Sequence, residues 1–232
     1  ATTASTTSVQ KLYIAYFGRP ADATGLAYYA DSLDAGATTV SAIATSFGSS
    51  TEAATTVALS TSAYVSAVYL QAFGRAYVSA TDGTFWTDAI TAGTTTKELA
   101  MVEILNGATG TDATAVTNKV AVANTYTTAT TTDGKTYAGA TAIAAAKAVL
   151  DGVTATASTV TSGNTAAQTA VTALASVAGT PGETFTLTSG VDTFTGTAND
   201  DIFNATVTGA VGAVHNVETM NVLDQLTGGL GT

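Results

Sequence analysis

From Val9 to Phe17 the apolar positions are Val9, Leu12, Tyr13, Tyr16 and Phe17. This i, i+3, i+4, i+7, i+8 spacing predicts one face of an amphipathic helix. Ser8 offers an N-cap hydroxyl, and the small polar residues 1–8 are expected to fray. Gly18 suits the left-handed position that ends a helix, and Pro20 cannot continue one. Asp22 or Thr24 then caps a second helix carrying Leu26, Tyr29, Ala30 and Leu33, ended by Gly36. Thr38 or Thr39 opens a third, with Val40, Ile43, Ala44 and Phe47, ended by Gly48.

The same order then returns. Tyr64, Val65, Val68, Tyr69, Ala72 and Phe73 make a stripe ended by Gly74. Phe85, Trp86, Ala89 and Ile90 make a second, ended by Gly93, and Leu99, Val102, Ile104 and Leu105 belong to a third. Tyr13 to Tyr69 and Arg19 to Arg75 share one offset; after one gained residue, Asp31 aligns with Asp88 and Gly36 with Gly93. Two tandem three-helix repeats are therefore predicted, at about residues 9–62 and 64–111, each covering the apolar face of the other. Two further helices are expected in residues 112–150, one carrying Val116, Val120, Ala123 and Asn124, the other Ala142, Ile143, Ala146, Val149 and Leu150. The link Thr127–Gly139 between them reads as polar, and residues 165–178 as a short Ala-rich helix.

After Thr180-Pro181-Gly182 the period changes to two, with Phe185, Leu187, Val191 and Phe194 set among Thr and Ser, which is strand chemistry. The expected fold class is thus mainly α: a helical domain over residues 1–180, its last helices within 112–178, followed by a small β segment over 181–232.

Charge narrows the function classes. The net charge of −10 and pI near 4.1 leave no basic face to displace counterions, so a nucleic-acid partner is not expected. An acidic excess suits a protein that holds divalent cations. No apolar run is long enough for a transmembrane helix, so no membrane insertion is expected. Without cysteine there are no disulfides. Ala1 to Ser8 lacks a basic-then-apolar leader, so either the protein stays inside or export is directed by something outside this stretch.

Within the β segment a nine-residue frame emerges. Gly190, Asp192 and Phe194 are followed nine positions on by Asn199, Asp201 and Phe203, and Asn is the residue that best replaces Gly where φ is positive. Asp224 and Leu226 then lead into Gly229 and Gly231. This is the frame of the calcium-binding nonapeptide: glycines for the turn, Asp for a hard anionic oxygen, and a large apolar residue packed inside. The candidate calcium ligands are Gly190, Asp192, Asn199, Asp201, Asp224, Gly229 and Gly231, with Ca2+ the expected cofactor. The copies are degenerate, since Leu187-Thr188 and Gly196-Thr197 stand where the frame has Gly-Gly. A plain Thr-rich strand pair with Asp in its turns is the competing reading.

The chain's two arginines, Arg19 and Arg75, both sit in the repeated phrase. The preferred reading is structural: each bonds carbonyls at a helix end or pairs with a local carboxylate, Asp22 or Asp82. The functional alternative is that Arg19 and Arg75, with Tyr28, Tyr77 and Trp86, contact sugar hydroxyls and rings. Aromatics at helical spacing are more often core. His215 is the single histidine, so no His-rich or two-His metal site can form, and it is expected on a loop or strand surface. There is no G-x-S-x-G, H-E-x-x-H or P-loop, so no enzymatic activity is expected.

Residues 9–50 and 64–106, with their F-G-R-x-x-D-x-x-G and aromatic-pair signature, resemble the domain of unknown function numbered 4214 of bacterial secreted proteins. The second copy departs in its longer loop Ala76–Thr81 and in Asp82-Gly83, which lacks the spacer. The blocks Asn118–Asn124 and Val149–Thr154 look like the usual sequel to those repeats. Gly190–Phe203 is similar to the start of the calcium-repeat region of S-layer proteins of the Caulobacter type. The resemblance implies a helical N-terminal domain that attaches non-covalently to the O-antigen of lipopolysaccharide, ahead of a calcium-dependent lattice of like subunits. It also implies type I secretion and a place on the bacterial cell surface. One alternative is the N-terminal module of a secreted calcium-repeat adhesin or enzyme. Another is a module for protein–protein assembly alone.

Overall fold

The structure is a computed structural model of all 232 residues. It describes residues 1–175, 181–196, 200–205, 207–208, 217–218 and 225–227. It is mainly helical, with a few short strands toward the C-terminal end, and divides into two compact units, Ala1–Ser176 and Val177–Thr232.

The first repeat supplies α1 (Thr3–Phe17), α2 (Ala23–Asp34) and α3 (Val40–Gly48), and a short turn α4 (Ala54–Val57) leads out of it. The second supplies α5 (Thr61–Phe73), a single turn α6 (Ser79–Asp82), α7 (Phe85–Thr91) and α8 (Lys97–Asn106). The long helix α9 (Gly110–Thr132) follows, then α10 (Gly139–Asp151) and α11 (Ala157–Thr172). Helix α1 packs on α5, and α9 packs on both.

The duplication is visible in the backbone. Gly18 and Gly74 have φ of 65° and 69°, and their N–H groups donate to Ile14 and Leu70 at 2.9 and 3.0 Å. Gly36 and Gly93 end α2 and α7 with the same paired bonds, the glycine N–H to Leu33 or Ile90 and the next N–H to Ser32 or Ala89. This is the double carbonyl cap that a left-handed glycine permits. Phe17 and Phe73 occupy equivalent settings, each edge-on to the Tyr four residues before it, at 5.6 and 5.0 Å.

Val9, Leu12, Tyr13, Tyr16, Phe17, Val65, Val68, Tyr69 and Phe73 are buried, as their spacing predicts. Phe47 gathers Tyr13, Tyr16, Phe17 and Tyr29 at 4.9–5.9 Å. Each large side chain taken out of water there contributes roughly 1.5–3 kcal/mol before entropy is counted.

Several helix boundaries differ from expectation. Helix α1 begins at Thr3 with Thr2 as N-cap, not at Ser8, because Thr2 and Ser5 are held by the Asp34 carboxylate of α2. Asp22 and Thr39 do cap α2 and α3. Helix α9 runs to Thr132, through much of the stretch read as a polar link. Thr127 and Thr130 lie inside, and their hydroxyls donate to the carbonyls of Ala21 and Thr127, which makes burial tolerable. Helix α11 starts eight residues earlier than expected and ends at Thr172. Its early start rests on Gly163, where a Cβ would lie 2.9 Å from Val122, so α11 sits close against α9. Residues 176–178 of the expected helix lie outside the described residues.

In the second unit, β1 (Pro181–Thr186) pairs in parallel with β3 (Asp200–Asn204), and β2 (Thr193–Thr195) with β6 (Gln225–Thr227). A small antiparallel pair joins β4 (Val207–Thr208) to β5 (Val217–Glu218). The register sets Phe185 against Phe203 and Phe194 against Leu226. Two nine-residue units separate Phe185 from Phe203, with β2 between them, so the chain completes one circuit and returns beside itself. Phe185 stacks on Phe203 at 5.1 Å and lies 5.1 Å from Phe194.

Candidate functional site

The repeated Phe-Gly-Arg phrase builds the same corner twice. The left-handed glycine turns the chain off the helix, and the arginine folds back over the rings of that helix. Arg19 lies 5.2 Å from the Tyr13 ring and 5.3 Å from Phe17; Arg75 lies 4.9 Å from Tyr69 and 5.9 Å from Phe73. Each Nη1 donates to the next residue's carbonyl, Pro20 or Ala76, at 3.1 Å. Each guanidinium also grips a distant carboxylate through Nε and Nη2: Glu52 at 2.7 and 2.8 Å for Arg19, Asp112 at 2.7 and 2.7 Å for Arg75.

The corners differ in exposure. The Arg19 side chain is 9% exposed and that of Arg75 38%. Burial works against the Arg19 charge, but its bonds to Glu52 outweigh that, and its pKa lies above the ordinary value. Arg75 is raised by Asp112 and then Asp82, and Asp82 is correspondingly lowered by Arg75. Asp82 thus takes the role expected of it. Asp22 does not: its Oδ1 accepts from the Gly25 N–H at 2.7 Å as the cap of α2, and Glu52 serves Arg19 instead. Glu52, Asp112 and Tyr137, whose hydroxyl accepts from Arg19 and donates to Pro20, were not found by sequence reasoning. Glu52 and Asp112 lie 33 and 37 residues beyond their arginines, so they do not align with each other at the repeat's offset and the internal alignment gave no signal for them.

The five residues considered for sugar contact do not converge. Arg19 is inside the protein, and Arg75 is held by two carboxylates. Tyr77 is half-buried, 5.2 Å from Tyr69, with its hydroxyl donating to the Gly83 carbonyl. Trp86 is half-buried beneath Phe85. Tyr28 alone of the five is strongly exposed, at 67%, and Phe85 of the second repeat matches it at 69%. A different surface carries a shallow groove of about 460 Å³ along α9 and α11, lined by Asn124, Thr125, Thr128, Ala129, Thr132, Asp133 and Gln168; most of its exposed lining is apolar, and Gln168 donates to Asp133 within it.

In the second unit, Gly190 and Asp192 share one turn. The Asp192 carboxylate accepts from the Thr188 N–H at 2.7 Å and from the Thr188 hydroxyl at 3.1 Å. Asp201 accepts from the Glu183 N–H at 2.9 Å across β1 and β3. Glu183 and Phe185 stand nine residues before Asp192 and Phe194, an additional in-frame unit that counting back would have found. Asn199, Asp224, Gly229, Gly231 and His215 lie outside the described residues. Among the described residues no three His, Cys, Asp or Glu side chains gather to hold a metal, and no helix is long and apolar enough to cross a membrane.

Comparison with known families finds a match at residues 1–57 to the Domain of unknown function (DUF4214). The chain therefore carries a DUF4214 domain in its first repeat. The match stops there, and the second copy is related to the first by the shared caps and arginine corners. No curated protein and no solved structure matches the chain.

Proposed function

We propose that this chain is the cell-anchoring part of a secreted surface-layer protein, in which the helical unit holds lipopolysaccharide O-antigen non-covalently and the β unit begins a calcium-binding roll. The observation that carries the reading is the circuit Phe185–Phe194–Phe203. Its nine-residue spacing and the parallel return of β3 beside β1 are what a solenoid of nonapeptides requires. Asp192 and Asp201, with Glu183 on the rung beside Asp201, are hard oxygen donors of the kind calcium takes, and turn carbonyls would complete the set. The ion would neutralise acidic turns and fix their shape. For the helical unit, the support is the groove along α9 and α11. Its largely apolar floor, edged by threonine hydroxyls and the Asn124 and Gln168 amides, suits a sugar chain, whose carbon faces and hydroxyls are bound by many individually weak contacts.

The test is capture of the purified chain on immobilised lipopolysaccharide, with calcium and with a chelator. Retention on O-antigen-bearing but not O-antigen-free lipopolysaccharide is expected. Absence of retention at saturating calcium rejects the anchor. Separately, a chelator-reversible change in the near-ultraviolet signal on adding calcium is expected, and no change up to millimolar calcium rejects the roll.

A further inference from the structure

Two of the chain's five lysines meet at one pocket, although the protein as a whole is acidic. The pocket has a volume of about 430 Å³ and lies where the ends of α1 and α5 meet α9 and α10. Phe17, Leu70 and Leu150 give it an apolar wall. Lys119 of α9 is 3% exposed, and its Nζ donates to the Gln71 carbonyl at 2.8 Å, one of three donors an ammonium carries. Burial pulls its pKa down to about 8, against an opposing pull from Asp151, so it remains mostly charged at neutral pH. Lys147 and Asp151 of α10 line the exposed mouth. The side-chain Oε1 of Gln71 is buried without a hydrogen-bond partner, an acceptor whose desolvation nothing in the protein offsets.

An apolar wall, two ammonium groups and an unsatisfied acceptor ask for one ligand with an anionic end, a hydroxyl donor and a hydrocarbon face. Phosphate or sulfate fits less well, since neither brings an apolar face and a fully ionised group brings no donor. We propose that this pocket binds a sugar acid, its carboxylate between Lys147 at the mouth and Lys119 beneath it, a ring hydroxyl donating to Gln71 Oε1 once that solvent-shielded side chain turns toward the ligand, and its apolar face against Leu70. Asp151 accepts a second hydroxyl and disfavours a more highly charged anion. The pocket leaves a net positive charge in a chain of net −10, so an acidic sugar is drawn to it rather than to the surrounding surface. The inference goes beyond the groove along α9 and α11 by adding a separate, charged site for an acidic residue of the same polysaccharide, and its biological meaning rests on the anchor reading.

The experiment is an amide-resolved NMR titration of the whole chain with glucuronate, with glucose as the neutral control and acetate as the bare carboxylate. Saturable shifts at Gln71, Lys119, Lys147 and Asp151 are expected with glucuronate, and neither control should reproduce them. Lys147→Met, at the exposed mouth, should keep the rest of the spectrum and weaken binding about fivefold, the scale of one solvent-facing ion pair. Gln71→Met tests the acceptor separately and should also weaken it. Unsaturable shifts, shifts scattered away from this pocket, or equal affinity in Lys147→Met would each overturn the proposal. Glucuronate binding without lipopolysaccharide capture would leave the pocket and remove the anchor; capture that is unaffected by Lys147→Met and by excess glucuronate would do the reverse.

Discussion

Replacing Glu52 by Gln tests how the first corner is held. Gln keeps the shape of the side chain but removes its charge, and one of its two terminal atoms becomes a donor facing another donor. Arg19 cannot move to water, because its side chain is 9% exposed, nor can it lose its proton. It would keep the Pro20 carbonyl and the Tyr137 hydroxyl, and the rings of Tyr13, Phe17 and Tyr137 at 5.2–5.5 Å. Removing one partner of a buried pair costs about 3–5 kcal/mol. Against a total stability of roughly 5–15 kcal/mol, that loss is large. The second corner supplies the control. In Asp112→Asn, Arg75 keeps both bonds to Asp82 at 2.8 and 2.9 Å and is more exposed, so the expected loss is only about 1 kcal/mol. Urea unfolding followed by far-ultraviolet dichroism should place the Glu52→Gln midpoint well below that of Asp112→Asn, with similar slopes. Equal losses for the two variants would refute the claim that burial, not the ion pair itself, sets the value of each corner. A double change of Arg19 and Glu52 to Met and Leu should recover much of the loss, since the penalty lies in the charge left alone.

Two further outcomes follow from the same region. Gly18→Ala and Gly74→Ala both force a side chain onto a left-handed residue, costing about 1 kcal/mol each. The Gly74 variant should be the worse by thermal melting, because its Cβ would lie 3.1 Å from the Val153 carbonyl, whereas Gly18 faces the Gln71 side chain at 3.6 Å. Stability should rise with pH above about 8, the folded-state value of Lys119. Below that value both states hold the proton; from there to the ordinary 10.5 only the unfolded chain does, which favours folding. The rise, at most about 1.4 kcal/mol per pH unit, should reverse a little above about pH 9, because burial raises six tyrosines (Tyr13, Tyr16, Tyr64, Tyr69, Tyr126 and Tyr137) in the folded state and the unfolded chain begins to ionise them first. Urea midpoints from pH 7 to 10.5 would show the rise, and Lys119→Met should abolish it.

The sequence carried the local rules of this fold further than its distant contacts. Apolar stripes, left-handed glycines and capping residues depend on neighbours within a few positions, and Gly18, Gly36, Gly74, Gly93, Asp22 and Thr39 act as their types predict. The shared offset of Arg19 and Arg75 was enough to mark both corners. What they hold was not legible, because Glu52 and Asp112 stand at different distances from their arginines and so do not align with each other across the repeats. Threonine misled in one direction only. The end of α9, from Thr127 on, was read as a polar link, yet a Thr hydroxyl can satisfy itself on a helix carbonyl, as Thr130 and Thr131 do on that of Thr127, and so stay helical. Counting polar positions therefore understated helix length wherever Thr was dense.

The divergence of the two copies follows from what covers each. The first corner is closed by Tyr137, from the link after α9, and by Gln10, which is fully buried and donates to Asn124 and Thr127 of α9 while accepting from the Ala21 N–H. The second is closed by α9's first turn through Asp112 and by the single turn α6 through Asp82. One long helix thus completes both repeats from opposite ends, and a sequence selected to fit two ends of one helix cannot remain the same at both. The copy closed by more of the chain keeps a buried arginine with one carboxylate; the copy closed by less adds a second carboxylate and leaves its arginine partly in water. The extra residues of the Ala76–Thr81 loop are what bring Asp82 round to Arg75, so the departure from the repeat is itself the compensation for a thinner cover.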